Sequence, residues 1–153
     1  MTVRLRTLCV AAVVAIVAIG QVQAQSLDGM LAISPAWEAH YNAGDLDALA
    51  SIYTDDAVLM PPNMPSMQGT DAMRALVQGF WDLGAVSSLV PAVTDFGMTG
   101  DWGWGGGPYT LTTADGTVLD TGKYLVLYSF GDGAWRIARH IWNSDLPPFV
   151  PVD

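Results

Sequence analysis

Beyond residue 25 the chain changes hydrophobic period once, from helical to strand-like. From Ser26 to Tyr41, the residues Leu27, Met30, Leu31, Trp37 and Tyr41 recur at helical spacing and predict an amphipathic helix. Asn42-Ala43-Gly44 closes it, with Gly44 supplying the left-handed conformation common at helix ends. Asp45 is placed to cap a second helix whose stripe is Leu46, Leu49, Ile52 and Tyr53, ended by Asp55-Asp56. Ala57 to Met60 reads as a short strand stopped by Pro61-Pro62. Gly69-Thr70-Asp71 opens a third helix with Thr70 as its cap. Met73, Leu76, Val77, Phe80 and Trp81 make its apolar face, and Gly84 ends it.

From Ser87 onward the signals are those of strands and turns. Ser87 to Met98 is a strand interrupted at Pro91, which confines it to an edge or a bulge. Gly100-Asp101 turns into Trp102 to Thr113, a strand that Gly103, Gly105, Gly106 and Gly107 allow to bend sharply. Asp115-Gly116 is a hairpin turn, Thr117 to Phe130 a long strand, and Asp132-Gly133 the hairpin into the last strand, Ala134 to Asp145. A period of two sends Trp135, Ile137, Arg139, Ile141 and Asn143 to one face of that strand and Arg136, Ala138, His140 and Trp142 to the other. A bulge would reverse the assignment. Helices followed by antiparallel strands predict an α+β domain: three N-terminal helices packed on a strongly curved antiparallel sheet, a cone-shaped α+β barrel whose mouth can hold a ligand.

The first 24 residues stand apart from this pattern. Arg4 and Arg6, the apolar run from Leu8 to Gly20 and the small residues around Ala24 have the layout of a secretory signal peptide cut between Ala24 and Gln25. The run is short for a membrane anchor. The expected organisation is a signal peptide over 1–24, a single domain over 25–146 and a Pro-rich tail over 147–153, in a soluble protein that is secreted or periplasmic. Two of the six basic residues lie in the leader, so four face fifteen acidic ones in the mature chain, a net charge of −11 against −9 for the whole. Such acidity argues against nucleic acid and anionic membrane as partners. Cys9, the only cysteine, also lies in the leader, so no disulfide or thiolate chemistry is expected in the mature chain. Two histidines on different elements with scattered aspartates make no metal spacing, and no cofactor is expected.

The stretch from Trp37 to Leu49, continuing into Tyr53-Thr54-Asp55-Asp56-Ala57, resembles the opening of the SnoaL-like and ketosteroid-isomerase-like superfamily with the nuclear transport factor 2 fold. Gly69-Thr70-Asp71, Thr121-Gly122-Lys123-Tyr124, and Gly133 to Ile137 leading into Trp142-Asn143-Ser144-Asp145 agree with it in order. The resemblance implies the cone and leaves the activity open, because this fold carries isomerases, cyclases, epoxide hydrolases, dehydratases and plain binders. Steroid isomerisation is not expected. Where ketosteroid isomerase has its first-helix tyrosine this chain has Trp37, the base position falls on Pro61, and the acid falls near Val126.

The same matching turns Trp37, Tyr41, Met60, Tyr124, Val126, Tyr128, Arg139, Ile141 and Asn143 inward, and all but Val126 form the expected ligand-binding set. A buried arginine must be paired or must meet an anionic or carbonyl-bearing ligand, so Arg139 is the most informative of them. Arg139, His140 and Asp145 are the catalytic candidates, with His140 as base and Asp145 as its orienter, set against a reading in which His140 lies at a dimer contact. Trp102, Trp104, Trp135 and Trp142 either stack on a planar ligand or make the outer sheet face apolar. Leu125 and Leu127, opposite Tyr124, favour the second reading. Related folds commonly pair sheet to sheet, and a homodimer through that face is expected. Two functions follow. One is binding of a small apolar or aromatic molecule with a carbonyl or anionic group, with isomerase-, cyclase- or hydratase-like acid-base chemistry open to it. The other is a non-catalytic module that recognises another protein.

Overall fold

The computed structural model describes residues 25–90 and 93–147, so the expected signal peptide, Pro91 and most of the Pro-rich tail lie outside the described residues. The stretch expected as a first helix is two, α1 (Leu27–Leu31) and α2 (Ile33–Ala43). Pro35 explains the break. Its ring excludes the carbonyl four residues earlier, at Leu31, yet within the first turn of α2 its missing N–H costs nothing. Gly44 ends α2 with φ +68°. The Asp45 carboxylate then accepts from the Ala48 amide at 2.9 Å and caps α3 (Leu46–Ser51), a bond typically worth about 1 kcal/mol.

The predicted stripe of α3 ran on to Tyr53, but the helix stops at Ser51 and Tyr53 opens β1 (Tyr53–Met60). The run Ile52-Tyr53-Thr54 is β-branched and aromatic, and sheet pairing wins: the Ile137 amide donates to the Ile52 carbonyl at 2.8 Å. After the short β2 (Met67–Gln68) comes α4 (Thr70–Asp82), which is capped by Gly69 at φ +88° and not by Thr70. The remaining strands are β3 (Ser87–Leu89), β4 (Asp95–Thr99), β5 (Trp102–Thr112), β6 (Val118–Gly131) and β7 (Ala134–Ser144). The sheet order is β2-β1-β7-β6-β5-β3, with β4 also on β5. The α+β class is as expected. The sheet is open, and its one parallel pair among the described residues, β1 with β7, makes it mixed.

The helices cover the concave face. Two side chains one turn apart on α2 do the work of a neighbouring strand for β3. Asn42 accepts from the Ser88 amide at 2.6 Å and donates to the Ser88 carbonyl at 2.8 Å, while Glu38 accepts from the Val90 amide at 2.9 Å. The β5 glycines also serve packing: a Cβ on Gly103 would stand 2.1 Å from Met30 Sδ, so α1 lies directly on the strand backbone.

Register sets the site. Along β6 and β7, Tyr128 faces Ile137 and the next partners are Leu127 and Arg139, so Ala138 has no partner and β7 is bulged there. Beyond the bulge the parity is reversed. His140 pairs with Val126 and Trp142 with Tyr124, both inward, while Arg139 and Ile141 pair with the outward Leu127 and Leu125.

The tightest backbone approach lies farther along the same pair, where a Cβ on Gly122 would stand 1.9 Å from the Asn143 carbonyl oxygen and 2.9 Å from the Tyr109 ring. Gly122→Ala is expected to destabilise the fold by at least about 2 kcal/mol in urea unfolding, because relief requires the β6–β7 ladder to open. Gly79→Ala in α4, where nothing stands within 4 Å, is expected to stabilise it by roughly 0.5–1 kcal/mol. Equal effects of the two changes would contradict this packing.

Candidate functional site

A cavity of about 70 Å³ lies between the concave sheet face and α2 and α4, several times the roughly 10–15 Å³ that one water needs. α2 contributes Ser34, Trp37 and Tyr41, α4 contributes Leu76, Val77 and Phe80, and the strands, with Val90 just past the end of β3, supply the rest. Five of the residues expected to face inward do so: Trp37, Tyr41, Tyr124, Val126 and Tyr128. Arg139, Ile141 and Asn143 do not. The Ala138 bulge turns them to the outer face, where Ile141 is 37 % exposed and the Arg139 guanidinium donates to the Ala138 carbonyl at 2.6 Å. Met60 also gives way to its neighbour. Leu59 pairs with the inward His140 and lines the cavity, while Met60 pairs with Ile141.

His140 is the polar centre of the wall. Its Nδ1 lies 3.0 Å from the Tyr53 hydroxyl, and that same oxygen accepts from Trp37 Nε1 at 2.8 Å. The rings of Trp37, Tyr53 and Tyr124 are each centred 6.2 Å from the imidazole and that of Trp142 at 5.0 Å. This burial disfavours the charged imidazolium and pushes the His140 pKa down to about 4, so the ring is neutral at pH 7. Burial likewise pushes the Tyr53 phenol well above its ordinary range and keeps its proton in place. Accepting from Trp37 leaves the Tyr53 O–H free to donate, and His140 Nδ1 is the acceptor within its reach among the described residues. The imidazole proton then sits on Nε2. Asp145, expected as the partner of His140, forms a surface ion pair with Lys123 instead.

The hydroxyls of the second wall belong to β6 and α2. Ser34 Oγ lies 3.0 Å from the Tyr128 hydroxyl and accepts from the Tyr124 hydroxyl at 3.4 Å. Desolvation raises both phenols, Tyr128 to about 12, so neither is ionised. Tyr41 stacks on Trp37 with ring centres 4.9 Å apart and donates to the Ala85 carbonyl, and burial pushes its pKa up to about 12. Tyr109 reaches outward from the lining to donate to Asp120 at 2.7 Å, and Ser144 donates to the other oxygen of that carboxylate at 2.5 Å. On β3, Ser88 is 2 % exposed, and its hydroxyl has no hydrogen-bond partner among the described residues, a state that costs about 1–3 kcal/mol.

Among the described residues no Asp, Glu, Lys or Arg lines the cavity, and no group of three His, Cys, Asp or Glu is placed to hold a metal ion. No described helix is long and apolar enough to cross a membrane. The positions matched to the ketosteroid-isomerase residues hold Trp37 and Val126, both in the wall, and the buried Pro61. Sequence reasoning missed Tyr53, Ser34 and Ser88. The strand-forming run around Tyr53 was a usable signal; for the serines, burial alone distinguishes them from ordinary surface residues.

Solved structures with this fold are numerous. A ketosteroid isomerase-like protein from Erwinia carotovora atroseptica is 24 % identical over 80 % of this chain and 98 % of its own, with a TM-score of 0.65. An NTF-2 like protein of unknown function from Shewanella oneidensis is 20 % identical over 75 % of this chain and 96 % of its own, at 0.64. An NTF2-like protein with a cystatin-like fold from Novosphingobium aromaticivorans is 16 % identical over 75 % and 79 %, at 0.65. At these identities the likeness establishes the fold and no activity. No curated protein matches the chain. The model of the SnoaL-like domain matches residues 36–140, which run from α2 through the histidine of the cavity wall, and the chain belongs to that family.

Proposed function

We propose that the cavity binds a small, uncharged, ring-bearing molecule through a carbonyl group, with the His140 Nε2–H donating to the carbonyl oxygen. The observation that carries this reading is the charge-free aromatic lining around one neutral, tautomer-fixed imidazole. Sequence reasoning allowed a carbonyl or an anionic group because it placed Arg139 inside. With Arg139 on the outer face the anionic choice loses its partner, since a carboxylate buried without a counter-charge costs far more than a hydrogen bond returns. A neutral imidazole can polarise a carbonyl as an N–H donor. A carboxylate base is missing from the lining among the described residues, so carbonyl binding and polarisation are proposed here, and proton abstraction by a carboxylate is not.

A second surface supports self-association. Trp102, Trp104, Leu125, Leu127 and Ile141 are 36–49 % exposed and adjoin across β5, β6 and β7 on the convex face. We propose a homodimer that covers this face.

Three outcomes check these readings. In titration calorimetry, acetophenone is expected to bind at least about tenfold more tightly than benzoate, and His140→Phe to weaken acetophenone about tenfold, the worth of one hydrogen bond. Benzoate binding as tightly as acetophenone would contradict the uncharged-ligand reading. In thermal unfolding, a histidine whose pKa falls from 6.5 to about 4 on folding is protonated first in the unfolded chain. Its contribution is therefore complete above pH 6.5 and is lost as the pH falls towards 4, by up to about 3 kcal/mol. Acid loss over that window is expected to be smaller in His140→Phe than in the native chain, and equal losses would show that the imidazole is not held neutral. In light scattering the protein is expected at the mass of two chains and Leu125→Glu at the mass of one; a monomeric native protein would sink the dimer.

A further inference from the structure

Ser88 stands in the cavity wall on β3, separated from the His140 strand by β6 and β5, with its hydroxyl unpartnered among the described residues. Its main-chain N–H and C=O are both held by Asn42, so the strand cannot shift to give the hydroxyl a new backbone partner without breaking that clamp. It pairs with Leu111, itself a lining residue. We propose that Ser88 is a second polar anchor of the cavity, and that the molecule bound there carries a hydroxyl at the end remote from its carbonyl: a compact, ring-bearing hydroxy-carbonyl compound. The inference rests on the carbonyl reading of the His140 wall and deepens it.

The chemistry of the partner follows from the site. A serine hydroxyl both donates and accepts, and a hydroxyl on the ligand can do the same in return. A charged group is disfavoured at this end as at the other, because the lining offers no counter-charge among the described residues. On the sheet, β6 and β5 separate the His140 strand from the Ser88 strand, so the two residues enter the cavity lining from strands that do not touch. α2 spans the gap between them. Trp37 lies beside the imidazole and Asn42 grips Ser88, and five residues of helix separate these by about 7.5 Å. The Ser34, Tyr124 and Tyr128 hydroxyls do not compete for this role, since they are already bonded to one another.

The test uses three probes of one shape: para-hydroxyacetophenone with both groups, acetophenone with the carbonyl alone, and para-ethylphenol with the hydroxyl alone. Each is titrated into the native protein and into Ser88→Ala, a change that leaves the Asn42 bonds to the backbone in place. In the native protein para-hydroxyacetophenone is expected to bind about tenfold more tightly than acetophenone. In Ser88→Ala that advantage falls to within about twofold, while acetophenone itself changes by less than about twofold. An advantage preserved in Ser88→Ala, or absent from the native protein, overturns the anchor and leaves the carbonyl reading standing. Failure of all three probes to bind the native protein overturns both.

Discussion

Between Ile137 and Arg139 the last strand carries one residue more than its neighbour can pair, and the content of the cavity depends on that residue. Without the bulge at Ala138, strand parity would place Arg139, Ile141 and Asn143 under the helices and send His140 and Trp142 outward. A buried arginine would then require a carboxylate partner or an anionic ligand. With it, the interior receives an imidazole and an indole, and the guanidinium goes to the convex face. One inserted residue thus converts a cationic cavity into a neutral one. β1 has an irregularity of its own at the same level, its register against β7 shifting between Tyr53 and Val58, and the Tyr53 hydroxyl lies within reach of His140 Nδ1.

The cavity is stabilised by the same arrangement that makes it selective. Four aromatic rings desolvate the imidazole, which costs stability when the ring is charged and nothing when it is neutral. The Trp37 to Tyr53 to His140 relay then fixes which nitrogen bears the proton, and it does so with groups that stay uncharged near neutral pH. On the facing side, hydroxyls of Ser34, Tyr124 and Tyr128 satisfy one another, so a mostly apolar chamber contains little unspent hydrogen-bonding capacity except at His140 and Ser88.

Much of the fold was legible because it depends on local periodicity. The Gly44 stop, the Asp45 cap, the Asp132-Gly133 hairpin turn and the order of helices and strands follow from residue types within a few positions of each other. Trp37, Tyr41, Tyr124, Val126 and Tyr128 were placed in the wall by the family resemblance, and that match carries over because each sits on a regular stretch of helix or strand. The errors cluster where a partner strand decides. Nothing in the order Ile137-Ala138-Arg139 marks which residue lacks a partner, because the mismatch exists only once β6 is alongside. Tyr53 left the helix because Ile137, far along the chain, supplied a sheet bond that helix periodicity does not register. The Ser34 contact to Tyr128 spans 94 residues, and the Ser88 hydroxyl is notable only for what surrounds it.

Carbonyl binding at this wall depends on a neutral His140 that carries its proton on Nε2 beneath the helices. Nitrogen-detected NMR of the two histidine rings, His40 and His140, with His40→Gln to assign them, reads tautomer and titration together. The expected spectrum shows His140 as the Nε2–H tautomer throughout the neutral range and titrating near pH 4. A ring that titrates near its ordinary 6.5, or that carries its proton on Nδ1, would contradict both the reversed strand face and the carbonyl-binding wall built on it.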